Sequence, residues 1–403
     1  MKPGDAITFL RWSGWSATKA LLPSLAAGRH RSLAHGAANF SRRSMTLIAP
    51  WLVANAGLDA PWAWSIGDAH HRHFTTLSHG RLRRVGRPAV SFGINQHDHQ
   101  HPSPWHWDMI RLLASLLNTR PLQQSQMRSL GETLISDYSS TIARIADDDA
   151  EACRIDINGL PESLKRLIER DSAPEAFDAH LRRHCVGDGA RLRLRRASRS
   201  DSERQSCAVL GRALQDQFDA RLAGSPAVIG MAPQPTSPLR EAARAGYLAL
   251  VREMDRSGAP QLRLLAVQER PLSAIARVLP GIPFPPRAAI PGVVALSNDP
   301  FNLTIRIGER AFQARTYCHA QHSVPIARLD AGDLVRFAHL WGQQLAGFHC
   351  AGLLQMGVPI GPFAHGVTSD LRQRRSELPL RAIALARFTS HAQRLWSRQP
   401  ASP

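Results

Sequence analysis

The 403 residues, 43% of them hydrophobic, suffice for a sizeable core and for two or three domains rather than one small module. A formal net charge of +18 favours phosphate-bearing ligands, nucleic acid or anionic membranes, yet nearly all of it is arginine spread along the chain, with Lys2, Lys19 and Lys165 the only lysines. No reader motif or aromatic-basic alternation accompanies the charge, which disfavours nucleic acid as a partner; the five scattered cysteines, Cys153, Cys185, Cys207, Cys318 and Cys350, argue against a disulfide framework or zinc knuckle and fit a reducing cytoplasm.

The amino-terminal segment, residues 1–40, has no uninterrupted apolar stretch, and the apolar run from Leu47 to Leu58 is broken by Pro50 and Asn55. Neither an export signal nor a membrane span is expected. Residues 41–224 read as a mainly helical part with short extended pieces. Its clearest helix starts near Pro104 and runs through Leu117, with Asp108 in the first turn, where a carboxylate suits the helix dipole. Arg111 shares a face with Asp108, so Asp108 reads as a structural cap or ion-pair partner. Pro161 opens a helix whose apolar face is Leu164, Leu167 and Ile168, and Arg191 to Arg195 alternate as a strand near a sheet edge, with a solvated arginine face.

A helix over 203–223 is followed by a proline-rich stretch, Ser225 to Pro238, that reads as a linker. Gly246–Val251 and Gln261–Val267 flank the turn-rich Asp255–Gly258 and predict a β-hairpin in a small sheet-bearing lobe, residues 225–300. After a second proline-rich break, residues 301–403 form a helical carboxy-terminal part. There Asp330 caps a long helix bearing Leu334, Phe337, Trp341, Leu345 and Phe348 at helical spacing. His349 and Cys350, adjacent on that helix, point in different directions and read as core.

Chemistry concentrates in three segments, Ile66-Gly-Asp-Ala-His70, Phe92-Gly-Ile-Asn-Gln-His-Asp98 and Pro104-Trp-His-Trp-Asp108. A Gly-Asp-x-His turn can hold a carboxylate at the mouth of a site, where it takes a proton from a substrate hydroxyl, while a downstream acidic cluster commonly holds metal and phosphates. The three segments resemble the bacterial domain-of-unknown-function family 2252, whose members read Gly-Asp-x-His-x-x-Asn-Phe, Phe-Asp-Ile-Asn-Asp-Phe-Asp and Trp-Asp-Leu-x-Arg. Those motifs in turn look like the catalytic loop, metal segment and following helix of aminoglycoside phosphotransferases and choline kinases. The resemblance implies an α+β, kinase-like, two-lobed fold: a helix-rich body and a small β lobe, placed after the catalytic motifs in a permuted order.

It also implies roles. Asp68 falls at the catalytic-loop aspartate and His70 at the loop histidine; His73, Asn95, Gln96 and Gln268 fall at nucleotide- and metal-contacting positions. His73 stands in place of the asparagine, Gly93 and Gln96 in place of aspartates, and Gln268 where a lysine is expected. Gln96 supplies no anionic ligand to magnesium, which leaves Asp98 as the carboxylate there. The expectation is a cytoplasmic protein that binds a nucleotide or phosphorylated small molecule, with ATP and a divalent cation as the implied cofactors and phosphotransferase activity weak or lost.

Two alternatives stay open. Eight histidines, His70, His71, His73, His79, His97, His99, His101 and His106, crowd one region, so His97, His99 and Asp98 are candidate ligands of a metal-dependent hydrolase. A non-enzymatic adaptor that holds an acidic partner on its arginine-rich surface is the other.

Overall fold

The computed structural model describes residues 36–82, 88–94, 100–149, 152, 153, 155, 159–187, 192–195, 200–222, 226–234, 245–254, 258, 260–270, 273–279, 301, 303–317 and 322–398. In chain order, α1 (Ala37–Arg43) and α2 (Met45–Ala56) lead into β1 (Trp62–Ser65), the hairpin β2 (Phe74–Leu82) and β3 (Pro88–Ile94), β4 (His101–Pro104), α3 (His106–Thr119) and α4 (Gln124–Ala146). Helices α5 (Glu162–Asp171) and α6 (Pro174–His184), the short pair β5 (Cys185–Val186) and β6 (Arg193–Leu194), and α7 (Asp201–Arg221) follow. Next come β7 (Ala227–Pro233), β8 (Gly246–Met254), β9 (Pro260–Glu269), α8 (Ala274–Val278), β10 (Leu303–Ile307) and β11 (Arg310–Thr316). Helices α9 (Ala331–Gln355), α10 (Ile360–Arg374) and α11 (Glu377–Ser397) complete the described chain, a helix-rich α+β protein.

The largest core joins segments from both ends of the sequence: α2, β1 and α3 with α4, α9, α10 and α11. Helix α3 lies deepest, every residue from His106 to Leu116 being buried, so its polar members must find partners inside the protein. Leu47, Ile48, Ala49, Trp51 and Leu52 of the broken apolar run are buried there as well, and Asn55 donates its amide to the Trp51 carbonyl. Among the described residues no helix is long and apolar enough to cross a membrane.

A second core belongs to an antiparallel sheet of order β10-β11-β9-β8-β7. Successive side chains of a strand point to opposite faces, and this alternation sorts β9: Leu265 and Val267 pack with Leu210, Leu214 and Phe218 of α7, whereas Leu264 turns to the other face with Cys185 and, at its margin, Leu192 and Leu194. The expected hairpin is present, with Gly246 opposite Gln268 and Met254 opposite Pro260. Two expectations change. The stretch read as a linker contains β7, which pairs with β8 as an edge strand; Pro233 ends the strand, a place where the missing N–H breaks no central ladder. The sheet also runs past residue 300, since β10 and β11 belong to it. The alternating arginine strand is reduced to the two residues of β6, and Arg191 lies outside the described residues.

Helix α9 reaches its neighbours through glycine. Asp330 caps it by accepting from the Asp333 N–H at 2.7 Å. A Cβ at Gly342 would stand 2.6 Å from the Leu134 carbonyl oxygen of α4, and one at Gly352 would stand 2.2 Å from Cβ of the buried Trp64. Neither neighbour is a flexible side-chain end, so added volume must displace backbone or a packed indole. Gly352→Ala and Gly342→Ala are each expected to destabilise the fold by about 1–3 kcal/mol, read as a lowered midpoint in urea unfolding; an unchanged midpoint would refute the close approach.

Candidate functional site

The Gly-Asp turn depends on α3. Gly67 has φ of +80°, a left-handed conformation that suits glycine. The turn's first two N–H groups are fixed by one carboxylate: Ile66 donates to Asp108 Oδ2 at 2.7 Å and Gly67 to Oδ1 at 3.0 Å. Asp108 in turn is held by α9, with His349 Nε2 at 3.0 Å from Oδ2 and the Tyr138 hydroxyl at 2.6 Å from His349 Nδ1. If the phenol donates to Nδ1, the Nε2–H is left to donate to the carboxylate, which satisfies every member with a neutral imidazole. Burial pushes the Tyr138 phenol well above its ordinary range, so it remains a donor. Trp105 stacks on the Tyr138 ring with centroids 5.1 Å apart.

Asp68 itself does not open onto the surface. It is 5% exposed, and its Oδ1 accepts from Arg111 Nε at 2.8 Å, with NH2 of the same guanidinium also 2.8 Å away. Arg111 is fully buried, and its outer nitrogens donate to the hydroxyl and carbonyl oxygens of Ser41, each at 2.9 Å. The partnership expected from the helix face is therefore exchanged. Arg111 meets Asp68 across 43 residues instead of Asp108 one turn away, because Asp108 is taken by backbone N–H groups.

The same turn gathers His70, His71 and His73, all buried. His70 Nδ1 accepts from the Arg72 N–H at 3.1 Å, and its ring lies 4.4 Å from that of His71 and 5.7 Å from that of His73 between centroids. His71 is tied to Ser115 of α3. Gly93, across the hairpin from Thr75, is confined, since a Cβ there would stand 3.0 Å from Leu77 Cδ1 and 3.3 Å from Gln344 Oε1. An aspartate at 93 would therefore need its neighbours to move. Asn95, Gln96, His97, Asp98 and His99 lie outside the described residues. Gln268 stands in the sheet, opposite Gly246 and Gln313.

The other described histidines of the region settle into separate places. His101 bonds to the Pro102 carbonyl, and His106 Nε2 lies 3.0 Å from the Ala56 carbonyl oxygen. Burial lowers both, His106 to about 4. Among the described residues no group of three His, Cys, Asp or Glu side chains is placed to hold a metal ion.

Two features went unseen in the sequence. Asp171, at the end of α5 and buried, accepts from the Thr76 hydroxyl at 2.7 Å and pairs with His322 Nδ1 at 2.9 Å, so the chain leaving the sheet is clamped onto β2. On the sheet face that carries Leu248 is a pocket of about 300 Å³, lined among others by Arg183, His184, Arg195, Gln234 and Tyr317. Arg195 is held in place there by the Arg182 and Cys185 carbonyls, and the Tyr317 ring lies 5.1 Å from that of His184. Burial, with Arg183 adding to it, lowers the His184 pKa and favours its neutral form. No local motif announces either feature, because their parts come from distant segments.

Fold and site together define a helix-rich α+β protein in which a Gly-Asp turn is fastened to a buried helix by two carboxylates. Residues 21–213 are similar to the family described as uncharacterized protein conserved in bacteria (DUF2252). No curated protein and no solved structure matches the chain.

Removing one member of a buried ion pair leaves the other charge uncompensated, so Arg111→Met is expected to cost about 3–5 kcal/mol in chemical denaturation; a loss within error of zero would refute the pairing with Asp68. His106 gives a pH signature. With a folded pKa of about 4 against 6.5 unfolded, the unfolded chain binds a proton between those values that the folded chain does not. The contribution is full above pH 6.5 and is lost as pH falls towards 4. His106→Gln should flatten the decline of melting temperature across that window; an unchanged slope would remove His106 as its source.

Proposed function

We propose that the protein is kinase-like and binds a nucleotide or another phosphorylated small molecule, with phosphoryl transfer weak or lost. The observation that carries this reading is the pocket on the sheet. It presents two guanidinium groups and an aromatic pair, with no carboxylate among its lining residues, a combination suited to an anionic ligand with a flat ring. Protein kinases carry their phosphate-contacting lysine on the third strand of the sheet-bearing lobe. In this sheet the third strand in chain order is β9, and strand alternation puts its Gln268 on the same face as Leu264, the side of the pocket.

Impairment of transfer rests on three sites. Oδ1 of Asp68 is committed to Arg111, Gly93 is packed where the resembling bacterial family's Phe-Asp-Ile-Asn motif has its first aspartate, and Gln268 brings no charge to a phosphate. A divalent cation, if one accompanies the nucleotide, would draw on Asp98 and Asn95 as oxygen ligands and would neutralise phosphate charge.

Calorimetric titration with ATP and ADP, each with and without magnesium, tests the proposal. One-site binding is expected, weakened about tenfold or more in the Arg183→Ala/Arg195→Ala double variant and tightened by Gln268→Lys. Absence of heat with both nucleotides and with a sugar phosphate would sink it. Transfer to a hydroxyl acceptor at a rate typical of kinases, about 1–100 per second, would keep the binding site but remove the claim of impairment.

A further inference from the structure

Away from the Gly-Asp turn and the sheet, α11 lines a groove of about 630 Å³ together with the end of α3 and the start of α4. Positions 380, 383, 387, 390 and 394 recur at three- and four-residue intervals and so form one stripe along the helix. The stripe changes character along its length. At its beginning it is apolar, with Leu380, 51% exposed, and Ile383 facing the groove that Leu117, Leu122 and the fully buried Met127 complete. At its end it is polar and cationic, with Arg387, Ser390 and Arg394. Across from Ser390, Asn118 accepts its hydroxyl at 3.1 Å and donates to Thr389 at 2.9 Å, a stitch that fixes the polar end.

The two arginines differ from their neighbours. Arg374 pairs with Asp370 and Arg381 with Glu377, whereas neither Arg387 nor Arg394 meets a carboxylate among the described residues, and none lines the groove. Both guanidinium groups are exposed. The volume falls in the range of small-molecule sites, about 300–1,000 Å³.

We propose that this groove binds a single-chain fatty-acid anion, its tail along Leu380, Ile383 and Leu122 and its carboxylate between Arg387 and Arg394. An apolar end gains from burying alkyl carbon, and a guanidinium fork matches a carboxylate in shape and charge. Charge complementarity decides the occupant: a neutral chain leaves the arginines unused, and an ion without a tail leaves the apolar half wet.

The test is isothermal titration of the full chain with dodecanoate below its micelle concentration, alongside dodecanol and a glutamate-rich amphipathic helical peptide. One-site dodecanoate binding is expected, weakened about tenfold or more in Arg387→Ala/Arg394→Ala, with dodecanol weaker than dodecanoate. Leu380→Asp should also abolish binding. Because all three side chains are exposed, each variant should keep the wild-type melting temperature, which separates loss of the site from loss of fold. Absence of binding, equal affinity in the double variant, or equal affinity for dodecanol would overturn the proposal. Binding of the acidic peptide with none of dodecanoate would overturn it in favour of a protein partner.

Discussion

The carboxylate of Asp108 is the constraint on which the Gly-Asp turn rests. It sits one turn into a helix with no solvent around it, where a bare charge would be costly, and it is satisfied by two backbone N–H groups and one imidazole. Those bonds fix the entry to Asp68 and commit α3, α9 and, through Tyr138, α4 to a single relative placement. The second carboxylate, Asp68, is neutralised from the same helix by Arg111, whose far side is occupied by Ser41 at α1. Two acidic residues, one in the turn and one in α3, thus gather four helices, and neither can be replaced by an apolar residue without stranding polar partners.

Much of this architecture is legible in the sequence wherever periodicity is strong. The α3 pattern, the cap and apolar stripe of α9, and the hairpin of β8 and β9 follow from local residue types, and each element lies within a few residues of its expected place. The sheet's edge is hidden because Pro226, Pro233, Pro235 and Pro238 dominate the composition of the segment, although proline at the end of an edge strand is compatible with pairing. Partnerships resist sequence reading for a different reason. Arg111 lies three residues from Asp108 and 43 from Asp68, and only the three-dimensional demand of the turn's N–H groups selects the distant partner.

The described histidines fall into different surroundings: His70, His71 and His73 share one buried turn, with His71 tied to Ser115, while His101 and His106 bond to separate carbonyls. Imidazole serves as a compact buried group able to bond through one nitrogen, and burial keeps His106 neutral at ordinary pH. A scattered basic composition resolves into distinct environments, from the sealed guanidinium of Arg111 to the fixed one of Arg195 beside the sheet pocket.

The clamp of Thr76, Asp171 and His322 has a mechanical meaning. The chain leaving the last strand of the sheet is laid against β2, with Ser323 bridged to Thr75, and β2 begins directly after His73 in the Gly-Asp turn. Sheet and turn therefore share one short lever. A ligand that drew the sheet pocket inward would pull on the same strand that seats His70 and His73, without any signal having to cross the hydrophobic core.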